Sequence, residues 1–88
     1  MTALDTTAAT PAQLGALKWL RNRNRDGVFV GPGQVLLAAG ERAGVMRGTW
    51  SALEKLGLVE RYNKKRLRVT KAGMAIDVAS VREAESAE

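Results

Sequence analysis

Between Ala43 and Gly73 the chain reads AGVMRGTWSALEKLGLVERYNKKRLRVTKAG, and this stretch restricts the fold more than any other. Met46, Trp50, Leu53 and Leu56 recur at helical spacing, with Arg47, Ser51, Glu54 and Lys55 largely on the other side. The pattern predicts a helix from about Val45 to Leu56, stopped by Gly57. Val59–Tyr62 and Leu67–Val69 read as strands joined by a basic bend, Asn63-Lys64-Lys65-Arg66. Leu67 and Val69 alternate with Arg66 and Arg68, as in a strand with one buried face. Thr70 then opens a last helix, expected to reach about Val81. A helix, a hairpin and a helix in this order must share one small core.

Upstream, Thr10-Pro11-Ala12-Gln13 is a helix start: a Thr cap, a Pro whose missing N–H would be unpaired anyway, and Gln three residues on. The first helix is expected to run to about Asn22, with Leu14, Leu17 and Leu20 setting its spacing and Trp19 half buried beside them. Asn22–Gly27 breaks it. Val28-Phe29-Val30 is a β-prone run closed by Gly31-Pro32-Gly33, too short to stand alone and expected as a third strand beside the later hairpin. A second helix is predicted over roughly Gln34 to Ala39, burying Val35, Leu36 and Ala39 and stopped by Gly40, with Glu41–Gly44 as a turn. Residues 1–9 read as a disordered arm, 10–81 as one folded domain and 82–88 as a flexible tail.

With 88 residues, the chain suits one domain. It has no Cys and no His, which removes disulfides, thiolate metal sites, Cys nucleophiles and histidine acid–base chemistry. No cofactor or metal is expected. The sequence has no apolar run long enough to span a membrane and no leader pattern, so the expected location is cytoplasmic, with no membrane partner. Ser51 and Lys55 lie one helical turn apart, but nothing marks a pocket or oxyanion hole around them, and a binding protein is expected rather than an enzyme. The GPG run lacks the spacing of a phosphate-binding loop and reads as a tight turn. Trp19 and Trp50 read as core anchors.

Charge is concentrated. From Thr10 to Met74 there are thirteen Lys or Arg against four acids, a surplus of nine, while Asp5, Asp77, Glu83, Glu85 and Glu88 lie outside. A basic body of this kind attracts a polyanion.

The element order resembles a winged helix–turn–helix domain. Gly40 stands where that family often has its turn glycine. Leu53-Glu54-Lys55-Leu56-Gly57-Leu58-Val59-Glu60-Arg61 is similar to the passage from recognition helix to first wing strand. Thr70-Lys71-Ala72-Gly73 is similar to the exit from the wing in MarR-like and PadR-like regulators. The resemblance covers about Thr10 to Val81. It implies an α+β fold with a three-helix core, a small antiparallel sheet and a C-terminal helix. It also implies sequence-specific binding of double-stranded DNA and regulation of transcription, as by a repressor occupying its site. A protein-interaction or assembly module of a replication, recombination or phage complex is the alternative on the same fold.

On that reading Arg42, Arg47, Thr49, Ser51 and Lys55 are the recognition-helix contacts, since Arg pairs with guanine and Ser or Thr reaches bases or phosphate. Arg61, Tyr62, Asn63, Lys64, Lys65, Arg66, Arg68 and Lys71 form the wing that meets the DNA backbone. Six cations crowded on one hairpin repel one another unless phosphates neutralise them. Arg21, Arg23 and Arg25 either reach a flanking phosphate or form a plain polar loop. Met74, Ile76, Val78 and Val81 give the last helix an apolar stripe, which either pairs two copies as a homodimer or packs on the protomer's own first helix. No small-molecule effector is evident.

Overall fold

The computed structural model describes residues 9–32 and 35–87; of the expected arm over 1–9 only Ala9, which is buried, lies among them. Thr10 caps the first helix. Its hydroxyl accepts from the Gln13 N–H (3.1 Å), the Gln13 side chain accepts from the Thr10 N–H (3.0 Å), and Pro11 occupies the first turn of α1 (Pro11–Arg21). This is the reciprocal cap the sequence announces. Ala16, Leu17, Trp19 and Leu20 of α1 are buried, Trp19 more completely than expected.

After α1 the chain forms β1 (Asp26–Val30), β2 (Val35–Ala38), β3 (Glu41–Ala43), α2 (Arg47–Lys55), β4 (Val59–Tyr62), β5 (Arg66–Val69), α3 (Lys71–Ala75) and β6 (Ser86–Ala87). The strands make one antiparallel sheet in the order β4-β5-β1-β2-β3-β6. The fold is α+β: three helices flank a small antiparallel sheet in a winged-helix-type arrangement. The short run at Val28–Val30 is the third strand beside the wing, with Gly27 opposite Leu67 and Val28 opposite Arg66.

One face of the sheet carries Phe29, Leu36, Ala38, Ala43, Val59 and Leu67, all buried against Leu17, Leu20, Trp50 and Leu53. Trp19 and Trp50 meet with ring centroids 6.4 Å apart. α2 ends in a Schellman motif: Leu58 N–H donates to Leu53 O and Gly57 N–H to Glu54 O, both at 3.0 Å, with Gly57 at φ 79°. The same geometry turns the chain into β4. Thr70 caps α3 by accepting from Gly73 N–H (3.1 Å) and also donates to Gly57 O (2.7 Å), tying the wing's exit to its entrance.

Three expectations are corrected. The helix over Gln34–Ala39 is strand β2, which alternates half-buried and buried along Val35–Ala38. A four-residue apolar run fits either period, and pairing with β1 satisfies backbone groups that a short helix would leave bare. Ala39 (φ 52°) and Gly40 (φ 79°) make a two-residue hairpin turn to β3, so Gly40 ends a strand and the expected turn at Glu41–Gly44 begins with another.

The last helix stops at Ala75, not Val81. Ile76 is extended, and Asp77 accepts from Ala79 N–H (3.0 Å) in a local turn that competes with helix. Arg21 donates to Ile76 O (2.7 Å), a carbonyl that a continuing helix would have used, and Lys18 donates to Val81 O (2.9 Å), holding the segment against α1.

The tail expected to be flexible is instead a strap. Ala84 N–H donates to Gly15 O (3.0 Å), Gly44 N–H donates to Glu85 O (2.9 Å), and β6 pairs with β3.

Candidate nucleic-acid interface

α2 presents its charged side as the sequence implies. Trp50 and Leu53 are buried, Arg47 and Lys55 are exposed, and Ser51 is half-buried between them. Arg47, Ser51 and Lys55 stand at i, i+4 and i+8, on one side of a nine-residue helix. Thr49 is half-buried at the first turn. Arg42 is not on this helix. It sits in β3, exposed, where alternation with buried Ala43 puts it on the sheet face opposite the helices.

The wing's cations divide into three groups. Arg66 and Arg68 lie with Tyr62 on the uncovered sheet face, in a closed network. Arg68 Nε is 2.6 Å from Glu60 and Arg66 Nη2 is 3.0 Å from Asp26. Tyr62 donates its hydroxyl proton to Asp26 and accepts from Arg66 Nε (2.9 Å), and the Arg68 guanidinium stands 4.6 Å from the Tyr62 ring centroid. The hydrogen bond to Tyr62, then that to Asp26, raises the Arg66 pKa above its ordinary value; Glu60 does the same for Arg68. Repulsion between Arg66 and Arg68 is therefore relieved by acids on two elements, Asp26 of β1 and Glu60 of β4.

Arg61 faces the other way, towards the helices. Its Nε is 3.2 Å from Glu54 of α2, and its guanidinium stands 4.7 Å from the Phe29 ring centroid. Lys64 and Lys65 occupy the bend and are exposed with no carboxylate partner, as is Lys71 at the start of α3. Asn63 (φ 49°) and Lys64 (φ 67°) supply the turn conformation, so Asn63 shapes the hairpin. Among the described residues, Arg47, Lys55, Lys64, Lys65 and Lys71 are thus the unpaired cations of helix and wing. The Glu54–Arg61 bond links the two elements, because Glu54 is seven residues after Arg47 and shares its side of α2.

The arginines at and after the end of α1 are mostly structural. Arg21 holds the Ile76 carbonyl. Arg23 bonds Glu41 (3.0 Å), Glu83 and the Trp19 carbonyl, and lies 4.7 Å from the Trp19 ring centroid. Burial works against the charge of Arg23, but its two carboxylate partners outweigh that and raise its pKa. Arg25 has no such partner.

Val78 is 5% exposed within the core, and Ile76 and Val81 pack against the same cluster. Met74 is half-buried on α3. The stripe offered for a second copy is therefore largely spent inside the protomer.

Among the described residues no three His, Cys, Asp or Glu side chains converge as a metal site requires, and no helix is long and apolar enough to cross a membrane. The sequence reading missed the strap and the Asp26–Tyr62–Arg66 network. Asp26 was legible only as an isolated acid, because its partners lie 36 and 40 residues away. No family model, curated protein or solved structure matches the chain.

Proposed function

We propose that this chain binds double-stranded DNA and regulates transcription by occupying its site, with α2 in a major groove and the wing bend on adjacent backbone. The observation that carries this reading is the division of the cations. Among the described residues, those on the outer side of α2 and at the wing bend have no carboxylate partner, while Arg23, Arg61, Arg66 and Arg68 are already neutralised. Counterion release from a phosphate backbone rewards unpaired cations. Arg47 is the proposed base reader, Ser51 and Lys55 support it, and Lys64, Lys65 and Lys71 are the backbone contacts. No catalytic role is assigned to any of these residues.

A titration of duplex DNA across salt concentrations tests the reading. The three lysine backbone contacts predict a log–log slope of about −3, from roughly 0.9 per phosphate. Arg47→Ala is expected to cost about 1–3 kcal/mol at a preferred site and to relax discrimination there. Lys64→Ala with Lys65→Ala weakens all sequences alike and flattens the slope by about 2. Arg66→Ala and Arg68→Ala leave the slope nearly unchanged, since their charges are already matched. A duplex that stays unbound at low salt overturns the reading.

One observation favours the assembly alternative. Val28, Val30, Val35 and Leu37 are half-buried on the sheet face that no helix covers. A protein partner seated there would account for them, and the same titration then gives no duplex binding.

A further inference from the structure

Beside the wing bend lies a cleft of about 410 Å³, lined by Val28, Phe29, Val30, Gly31, Arg61, Lys64 and Lys65. Its origin is a mismatch of strand lengths. The wing pairs with β1 only to Val28 opposite Arg66, with one further bond from Phe29 N–H to Lys65 O (2.7 Å). β1 continues through Val30 to Gly31 with no strand opposite on the wing side, and the gap is the cleft. Its floor is apolar, and its rim holds two lysines without carboxylate partners and one arginine.

The volume falls in the range of sites that take a whole small molecule, and exceeds what one inorganic anion needs. Arg61 is held from two sides: Glu54 fixes its Nε and the Phe29 ring lies under its guanidinium. An arginine oriented in this way offers its other face to a planar base, as guanidinium planes do in nucleic-acid recognition. Lys64 and Lys65 stand beside it as mobile point charges suited to a phosphate.

The geometry points to a nucleotide seat in which a nucleoside 5′-phosphate lays its base on Arg61 and places its phosphate between Lys64 and Lys65. The ligand is either a free nucleotide or the 5′-phosphorylated end of a strand. The seat shares its lysines with the duplex reading but stands without it.

The test is a titration of the full chain followed by backbone amide NMR. The probes are deoxyadenosine 5′-monophosphate, deoxyadenosine, inorganic phosphate, and a short single strand with either a 5′-phosphate or a 5′-hydroxyl. The nucleotide should shift the Phe29, Gly31, Lys64 and Lys65 amides saturably, with deoxyadenosine and inorganic phosphate each about tenfold weaker. Lys64→Ala with Lys65→Ala should weaken the nucleotide about tenfold. Arg61→Lys keeps the charge and should weaken the nucleotide while leaving inorganic phosphate unaffected.

A 5′-phosphorylated strand binding more tightly than the free nucleotide identifies a strand end as the ligand; equal or weaker binding identifies the free nucleotide. The proposal is overturned if shifts do not saturate, if inorganic phosphate matches the nucleotide, or if the double variant changes nothing. Nucleotide binding without binding of a blunt 5′-hydroxyl duplex would sink the duplex reading and leave this one standing. Duplex binding without localised nucleotide shifts would do the reverse.

Discussion

The two ends of the sheet are held by different means. At the wing end, β4 and β5 are clamped by packing: Leu58, Val59 and Leu67 are buried, and Gly73 of α3 lies directly against the Leu58 carbonyl. At the far end, β3 is closed by residues 82–87, and the contacts there are mostly polar. Glu83 meets Arg23, Ser86 bridges the Trp19 indole (2.8 Å) and Glu41 (2.7 Å), and two strand residues pair. The wing strands also carry ion pairs, Arg66–Asp26 and Arg68–Glu60, but their buried apolar packing has no open state short of unfolding. A polar strap can release while the core stays closed. The difference predicts that the wing end unfolds with the whole domain, while the strap opens alone.

The strongest break of this comparison is Gly73→Ala. An added methyl would run into the Leu58 carbonyl and meet Val69 Cγ1 at 2.7 Å, both parts of the packed wing. Because the obstacle is backbone, a loss of about 3 kcal/mol is expected in a denaturant melt. A value below about 1 kcal/mol would show that the wing end yields as readily as the strap.

The two tryptophans sharpen the comparison. Trp19 and Trp50 are both essentially buried, but the Trp19 indole N–H donates to Ser86 whereas the Trp50 indole N–H has no partner. Replacing each by Phe removes similar apolar volume. Trp19→Phe also loses a hydrogen bond, so it should cost about 1 kcal/mol more than Trp50→Phe. Equal losses in thermal melts would mean that the Ser86 contact contributes nothing to global stability.

Gly15→Ala is the counterpart of Gly73→Ala at the strap. The new methyl would lie 2.6 Å from the Arg82 carbonyl, again backbone, but in a segment free to lift. Alanine inside α1 recovers about 1 kcal/mol of helix propensity. Global stability should therefore change by no more than about 1 kcal/mol, while the Ala84 and Gly44 amides lose their protection from hydrogen exchange. A loss as large as that of Gly73→Ala would show the strap to be part of the core.

The smallest effect is a pH response. The Ser86 hydroxyl, and after it Arg23, lowers the Glu41 pKa below the usual glutamate range. The folded value is depressed, so the contribution of this carboxylate is complete above the unfolded pKa and is lost as pH falls through the folded one. Exchange at Gly44 should therefore quicken progressively as pH falls from the usual glutamate range towards the lowered folded value, and level off beneath it. Ser86→Ala should narrow that window and shrink the response; an unchanged response would remove Ser86 as the cause.

The wing end was legible in the sequence and the far end was not, for a reason that particular residues make plain. Leu53 and Gly57 act through neighbours within a few residues, as does the cap of Thr70 on Gly73, so cap, stop and alternation could be read locally. Val35–Ala38 carries no such local decision. Its run suits helix or strand, and pairing with β1 settled it. The candidate interface divided in the same way. Exposure of Arg47, Lys55, Lys64 and Lys65 follows from period and turn chemistry. Neutralisation of Arg61, Arg66 and Arg68 depends on Glu54, Asp26 and Glu60 arriving from α2, β1 and β4.

By itself, then, the amino-acid order determined α1, α2, the wing and the third strand beside it. The helices and the wing rest on short-range capping, glycine conformation and hydrophobic period, which act within a turn or a hairpin; the third strand was legible as a β-prone run, although its partner β5 lies far along the chain. The tertiary structure alone decided that Val35–Ala38 is a strand, that the last helix ends at Ala75, and that an acidic chain end becomes a strap. In each case the deciding partner is distant along the chain: β1 for Val35–Ala38, Lys18 and Arg21 for the segment after Ala75, and Trp19, Arg23 and Glu41 for the strap. Backbone and side-chain polar groups must find partners somewhere, and only the folded chain brings these ones within reach.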